Sequence, residues 1–193
     1  MLGRIAYYAH TALDAAAGLI GVRALTEEPK YDKLAEFGDA EIRRYLPRLA
    51  AETDVPGEEG AARDEGFRRL AGYIFGGNAG EERIAMTAPV AQAPDPTGHT
   101  IRFFLPAGMT TPPPPRDPRI RIVQVPPETL AVHRFSGSTG PEAVANGKAR
   151  LLAALHGSPW HPHGEPVAWF YDPPWTPPPL RRTEVAVAVT KSD

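Results

Sequence analysis

The sequence contains no cysteine. Disulfide frameworks, thiolate-held zinc or iron–sulfur centres and cysteine nucleophiles are therefore excluded. Lysine is scarce, at 4 residues against 17 arginines. There is no basic surplus, since 21 bases against 23 acids give a net charge of −2. That balance argues against a general nucleic-acid binder, which presents a basic face. No Gly-rich phosphate loop, G-x-S-x-G, H-E-x-x-H or EF-hand loop is present. No apolar run reaches the ~20 residues of a membrane span, and no collagen or heptad repeat occurs.

Proline and glycine are abundant, with 23 and 18 of 193 residues. Together they make about a fifth of the chain, against roughly 12% in an average protein. Turns and stiff connectors are therefore many and long helices few. With 42% apolar residues, the length suits one folded domain of ~100–200 residues.

Residues 1–29 stand apart as an amphipathic helix and linker, and 30–193 form the main domain. Ile5, Tyr8, Ala9, Ala12, Ala16, Leu19 and Ile20 recur at spacings of three and four, one apolar stripe on a helix. Three readings of this segment stand: a helix docked on its own domain or on a partner protein, a peripheral membrane anchor, or a cleaved signal. Asp14 interrupts the apolar core that a signal needs.

Beyond Pro29 the pattern predicts two similar halves. Residues 41–45 and 49–55 read as extended segments, and Glu58 to Phe75 as a helix stopped by Gly76-Gly77-Asn78. Residues 83–92 and 100–105 read as strands. After the Pro112–Pro115 connector, strands are predicted over 119–125 and 130–135, a helix from Pro141, and strands over 167–171 and around 185–189. Residues 31–106 and 117–190 thus both run strand–strand–helix–strand–strand. The fold class is α+β: a distorted antiparallel β-barrel or curved sheet flanked by two helices, with pseudo-twofold halves.

Chemistry-bearing residues are sparse. His156, His161 and His163 sit among Pro and Gly and read as a solvated loop. His133 falls on a predicted strand. Among ionisable groups only Tyr171, Glu184 and His133 offer an enzyme a starting point, so a non-enzymatic role is expected. Two stretches suit a flat apolar guest: one around Met86, a soft and polarizable side chain, and one where Tyr171 and Trp175 stand on a proline scaffold before Arg181-Arg182.

Four pieces in order carry a family resemblance. They are Glu41-Ile-Arg-Arg-Tyr45 with Pro47; Phe67 through Tyr73-Ile-Phe-Gly-Gly-Asn78; Ile84-Ala-Met-Thr-Ala-Pro-Val90; and Tyr171-Asp-Pro-Pro174 with Arg181-Arg-Thr-Glu-Val185. On these the chain resembles the SOUL haem-binding family. It also resembles the small-molecule effector domains of some bacterial transcription regulators. The resemblance implies a carrier, buffer or chaperone for haem or another tetrapyrrole, bound in an apolar cleft beside the first helix. By position the cleft would use Arg63, Phe67, Ala71, Ile74, Met86, Tyr171 and Trp175. Arg181 or Arg182 would meet haem propionates or else hold the barrel closed. Some relatives offer a histidine where this chain has Arg44; His133, or else a loop histidine, is the candidate axial ligand in its place. A stand-alone effector-binding domain for other flat amphipathic ligands, or a hydrolase on the same fold, are the alternatives. A cytoplasmic monomer without nucleic-acid partners is expected.

Overall fold

In a computed structural model, which describes residues 26–192, the first helix forms where its period predicted it. This helix, α1, spans Glu59–Ile74 and buries Ala62, Gly66, Leu70, Tyr73 and Ile74. Gly66 sets how closely it sits, because a Cβ there would lie 2.3 Å from Ile101 Cγ1. The chain leaves the helix through Gly76, at φ 112, which favours glycine. Asn78, fully buried, then staples the exit. Its amide donates to the carbonyls of Tyr73 (3.0 Å) and Glu82 (2.7 Å), and its oxygen accepts from the Glu82 N–H. The second helix, α2, spans Pro141–Leu155, with proline where a missing N–H is tolerated. Its Gly147 repeats the device of Gly66, since a Cβ there would meet the Phe135 ring at 2.7 Å.

Nine strands accompany the helices among the described residues. They are β1 (Tyr31–Phe37), β2 (Ala40–Tyr45), β3 (Arg48–Pro56), β4 (Val90–Asp95), β5 (Gly98–Phe104), β6 (Arg121–Val125), β7 (Glu128–Phe135), β8 (Trp160–Phe170) and β9 (Thr183–Lys191). They form one antiparallel sheet in the order β1-β2-β7-β9-β8-β4-β5-β3-β6. Exchanging β2–β5 for β6–β9 returns the same order read from the other edge. The pseudo-twofold axis therefore passes between β4 and β8, and each half lends its first strand to the other. β1 lies outside this repeat.

The expectation of a barrel or curved sheet resolves to a curved sheet that does not close, with β1 and β6 as edges. The strand predicted over 83–92 shrinks to one beginning at Val90, because the chain before it is an irregular loop with a cis Ala88–Pro89 bond. β8 begins earlier than predicted and carries His161 and His163, both exposed, paired to Thr190 and Ala188 of β9. The expectations for residues 1–25 lie outside the described residues. No helix among the described residues is long and apolar enough to cross a membrane.

Side chains alternate between two faces of the sheet. One face carries the helices over two apolar clusters, one centred on Leu70, Ile101 and Phe103, the other on Leu151, Phe170 and Val187. The opposite face gathers Tyr45, Phe104 and Trp169, in edge-to-face contact about Trp169. The Arg48 guanidinium lies 4.5 Å from both the Tyr45 and Phe104 rings.

Candidate functional site

Register places one row of side chains across the helix-bearing face. Phe135 pairs with Thr183, Thr183 with Phe170, Phe170 with Val90, and Val90 with Phe103. α1 covers one end of this row, with Phe67 on Phe103 at 5.3 Å between ring centroids. α2 covers the other end at Phe135. Between the helices the floor is Phe170 and Val90, close to the pseudo-twofold axis. Arg63 spans this valley. Its guanidinium lies 4.3 Å from the Phe170 ring centroid and donates to the Thr139 carbonyl at 3.2 Å, just before α2. Burial pushes the Arg63 pKa down, only partly opposed by Asp64 and Glu59. Among the described residues it makes no ion pair.

Several apolar side chains are exposed on α1 and on the loops at one end of β4 and β8. Phe67 is 37% exposed, Met86 39% and Trp175 58%. Met86 precedes Val90 by four residues, and Trp175 follows Phe170 by five, so the Val90–Phe170 pair brings both segments to the same end. Phe75 and Leu180 are exposed as well.

A second centre occupies the opposite face. Glu184 is fully buried. Its Oε2 accepts from Arg43 Nη1 and from the Tyr171 hydroxyl, each at 2.8 Å, and its Oε1 accepts from Arg182 Nε at 3.0 Å. Arg182 also grips Glu28 (Nη1 to Oε2, 2.8 Å) and lies 3.7 Å from the Tyr171 ring centroid. Burial, and next the charge of Glu184, hold the Tyr171 phenol well above its usual range. Burial opposes the Arg43 charge, but Glu184 outweighs it and raises that pKa.

The sequence-predicted set therefore divides. On α1, Arg63 lies over Phe170 and Phe67 on Phe103, with Ala71 one turn beyond Phe67, while Met86 and Trp175 are exposed on the loops before Val90 and after Phe170. Ile74 is buried in the core under α1. Tyr171 and Arg182 belong to the Glu184 centre across the sheet. Arg181 binds its own loop, donating to the carbonyls of Thr176 and Pro174 at 2.7 Å each. His133 is buried beside α2, with Nδ1 3.1 Å from the Asp39 carbonyl and Nε2 without a partner. Because that carbonyl only accepts, Nδ1 carries the proton. No group of three or more His, Asp or Glu gathers among the described residues. Sequence reasoning passed over Phe170, Phe103 and Val90, whose signal is strand parity, and Arg43, whose role depends on strand pairing.

Two grooves open elsewhere. One, about 680 Å³, runs past His133, Asp39, Arg43 and Arg182. The other, about 470 Å³, follows the flank of α1 opposite Phe67, lined by Arg68, Arg69, Arg116 and Arg119 with Glu65 and Asp117. Neither is lined by Met86 or Trp175.

Comparison with solved structures places the fold among small sheet–helix domains. The crystal structure of the EcmrR C-terminal domain matches with a TM-score of 0.61 at 12% identity, over 84% of this chain and 99% of that one. EcmrR in its complex with DNA matches at 0.61 and 13% identity, over 100% of this chain and 65% of that one. SAV2435 bound to tetraphenylphosphonium matches at 0.46 and 14% identity, over 81% and 94%. At these identities the likeness is one of fold. No curated protein matches the sequence. The profile of the SOUL heme-binding protein family matches residues 26–188. The chain belongs to that family.

Proposed function

We propose that this protein binds haem or a related tetrapyrrole non-covalently in the valley between α1 and α2, as a carrier or buffer. The observation that carries the reading is Arg63, a half-buried guanidinium over an aromatic floor with no carboxylate partner among the described residues. A guanidinium in that state favours a carboxylate brought by a ligand. On this reading Phe67, Met86 and Trp175, all exposed, supply the apolar surface for one face of a macrocycle. Membership of the SOUL family supports the ligand class.

The residues present fit the propionates and the ring better than the iron. Haem, when bound, brings an iron that takes axial ligands. His133 sits under the other helix with its Nδ1 proton given to Asp39, so it is not a valley residue. Affinity on this reading comes from apolar burial, at about 25 cal/mol per Å² before ordering costs, and from pairing with Arg63. A metal-free porphyrin then binds nearly as well as hemin.

A free buried carboxylate would favour a flat cation instead. Glu184 and Glu52, the buried acids among the described residues, are each bonded to two arginines. Titration with hemin, followed by absorption, tests the proposal. A saturable 1:1 Soret shift supports it, and uptake that never saturates overturns it.

A further inference from the structure

The pseudo-twofold leaves one place unfilled. β2 and β6 correspond, and β1 covers the outer side of β2, whereas no described strand lies beyond β6. Alternation along the ladder tells which β6 groups face outward. The Leu105 N–H donates to the Leu49 carbonyl at 2.9 Å, so Leu49 turns its backbone to β5 and its neighbour Ala50 turns to β6. Ala50 opposes Val123, so Arg121, Val123 and Val125 bond inward to β3. The N–H and C=O groups of Ile122 and Gln124 therefore point away from the sheet, and no other backbone bond among the described residues takes them up. The two edges are also guarded differently. β1 carries Asp32, Lys33 and Glu36 and a bulge between Lys33 and Ala35, devices that deter strand addition. β6 has neither bulge nor proline, and its one charge, Arg121, is taken by Glu52 (2.8 Å) and Asp54 (2.5 Å).

We infer that this edge pairs with the same edge of a second copy, β6 against β6 and antiparallel, about a twofold axis at Val123. The ends of the strand select that register. With the axis at Val123, Ile122 of each copy faces Gln124 of the other, and every outward N–H and carbonyl of these residues is bonded. An axis at Ile122 would set Gln124 against Ile120, whose N–H is already given to the Asp117 carbonyl. An axis at Gln124 would set Ile122 against Pro126, which has no N–H. The edge is thus complementary to itself in one register, which favours a second copy over an unrelated peptide. Charge agrees, because this register sets Arg121 opposite Val125 and no like charges face each other. A strand this short gives a small interface, so the dimer is weak and depends on concentration. The inference does not depend on what the valley binds.

The chain has no cysteine, so single introduced thiols report on the register. Val123→Cys puts a thiol on the axis, facing its own copy across a non-hydrogen-bonded pair, where Cβ atoms stand about 4.5–5.5 Å apart. Ile122→Cys and Gln124→Cys face different residues of the other copy. Under mild oxidation of the full chain at high concentration, we expect a disulfide-linked dimer from Val123→Cys and several-fold less from the other two. Sedimentation of the wild type should show a mean mass that rises with concentration. Gln124→Pro should abolish that rise with the fold retained, since proline removes one outward N–H and no bond to β3. Equal cross-linking at the three positions would overturn the inference, and so would an association that survives Gln124→Pro. A wild type that stays monomeric at every concentration would overturn it too: slow hydrogen exchange at Gln124 would then assign the edge to the chain's own residues, and fast exchange would leave it unpaired.

Discussion

The Arg43 guanidinium lies against the Glu184 carboxylate with Nη1 2.8 Å from Oε2 and Nη2 3.3 Å from Oε1. The two residues are 141 positions apart, on strands β2 and β9 that flank β7. The pair joins the strand that the first half lends to the last strand of the second half. Glu184→Ala would leave Arg43 with Glu41 as its remaining carboxylate (Nε to Oε2, 2.7 Å) and the Tyr171 hydroxyl without its acceptor. We expect a loss of about 3–5 kcal/mol in chemical denaturation, the cost of removing one partner from a buried ion-pair network. Replacing both residues, Arg43→Met with Glu184→Leu, should recover the part of that loss that falls on Arg43, since Tyr171 and Arg182 lose Glu184 in either variant. Equal losses from the single and double variants would contradict this reading.

The glycines of α1 separate packing from propensity. Gly66→Ala must push against Ile101, and overpacking of this kind costs about 1–3 kcal/mol. Gly72→Ala meets nothing within 4 Å and should stabilise by about 0.5–1 kcal/mol through helix propensity. Thermal denaturation of both variants checks the opposed signs.

Three tyrosines should resist ionisation. Burial pushes Tyr45 up to about 12, raises Tyr73, and with Glu184 raises Tyr171 well above its usual value. Each phenol has a higher pKa folded than unfolded. Its contribution to stability is complete below about 10, the unfolded value, and is lost as pH rises through the folded value. Ultraviolet difference titration should show these three ionising late, together with unfolding. Ionisation of all tyrosines near pH 10 with the fold intact would contradict this.

Arg181 positions the Trp175 loop. Removing its two hydrogen bonds in Arg181→Ala should cost about 1–3 kcal/mol locally while leaving the sheet intact. Hydrogen exchange should quicken at Trp175 and Thr176 and not in β8 or β9. Global destabilisation would point instead to a role in holding the sheet.

Much of this fold was legible because it is local. The helices follow from apolar period and from their glycine and proline ends, and the twofold order of elements follows from their succession. The strand swap was not legible, since β2 beside β7 and β3 beside β6 are non-local pairings that no short window encodes. β1 was missed because Tyr31–Phe37 is an edge strand whose side chains are mostly exposed, so it lacks an apolar alternation. The strand predicted over 83–92 failed for the converse reason. Ile84 is buried and gave an apolar signal, but the Asn78 staple and the Ala88–Pro89 bond shape a loop. Among the expected site residues, Met86 and Trp175 follow from side-chain type and Phe67 from its place in the family resemblance. The assignment of Tyr171 and Arg182 to the opposite face needed the register of β9.

The central claim is that Arg63 reads ligand carboxylates in the valley between the helices. It is tested most directly by comparing hemin with its dimethyl ester in wild type and Arg63→Ala, using absorption titrations. The account expects Arg63→Ala to weaken hemin about ten-fold or more, the scale of one charge-assisted hydrogen bond, and to leave the ester unchanged. Equal weakening of both ligands, or of neither, would contradict it.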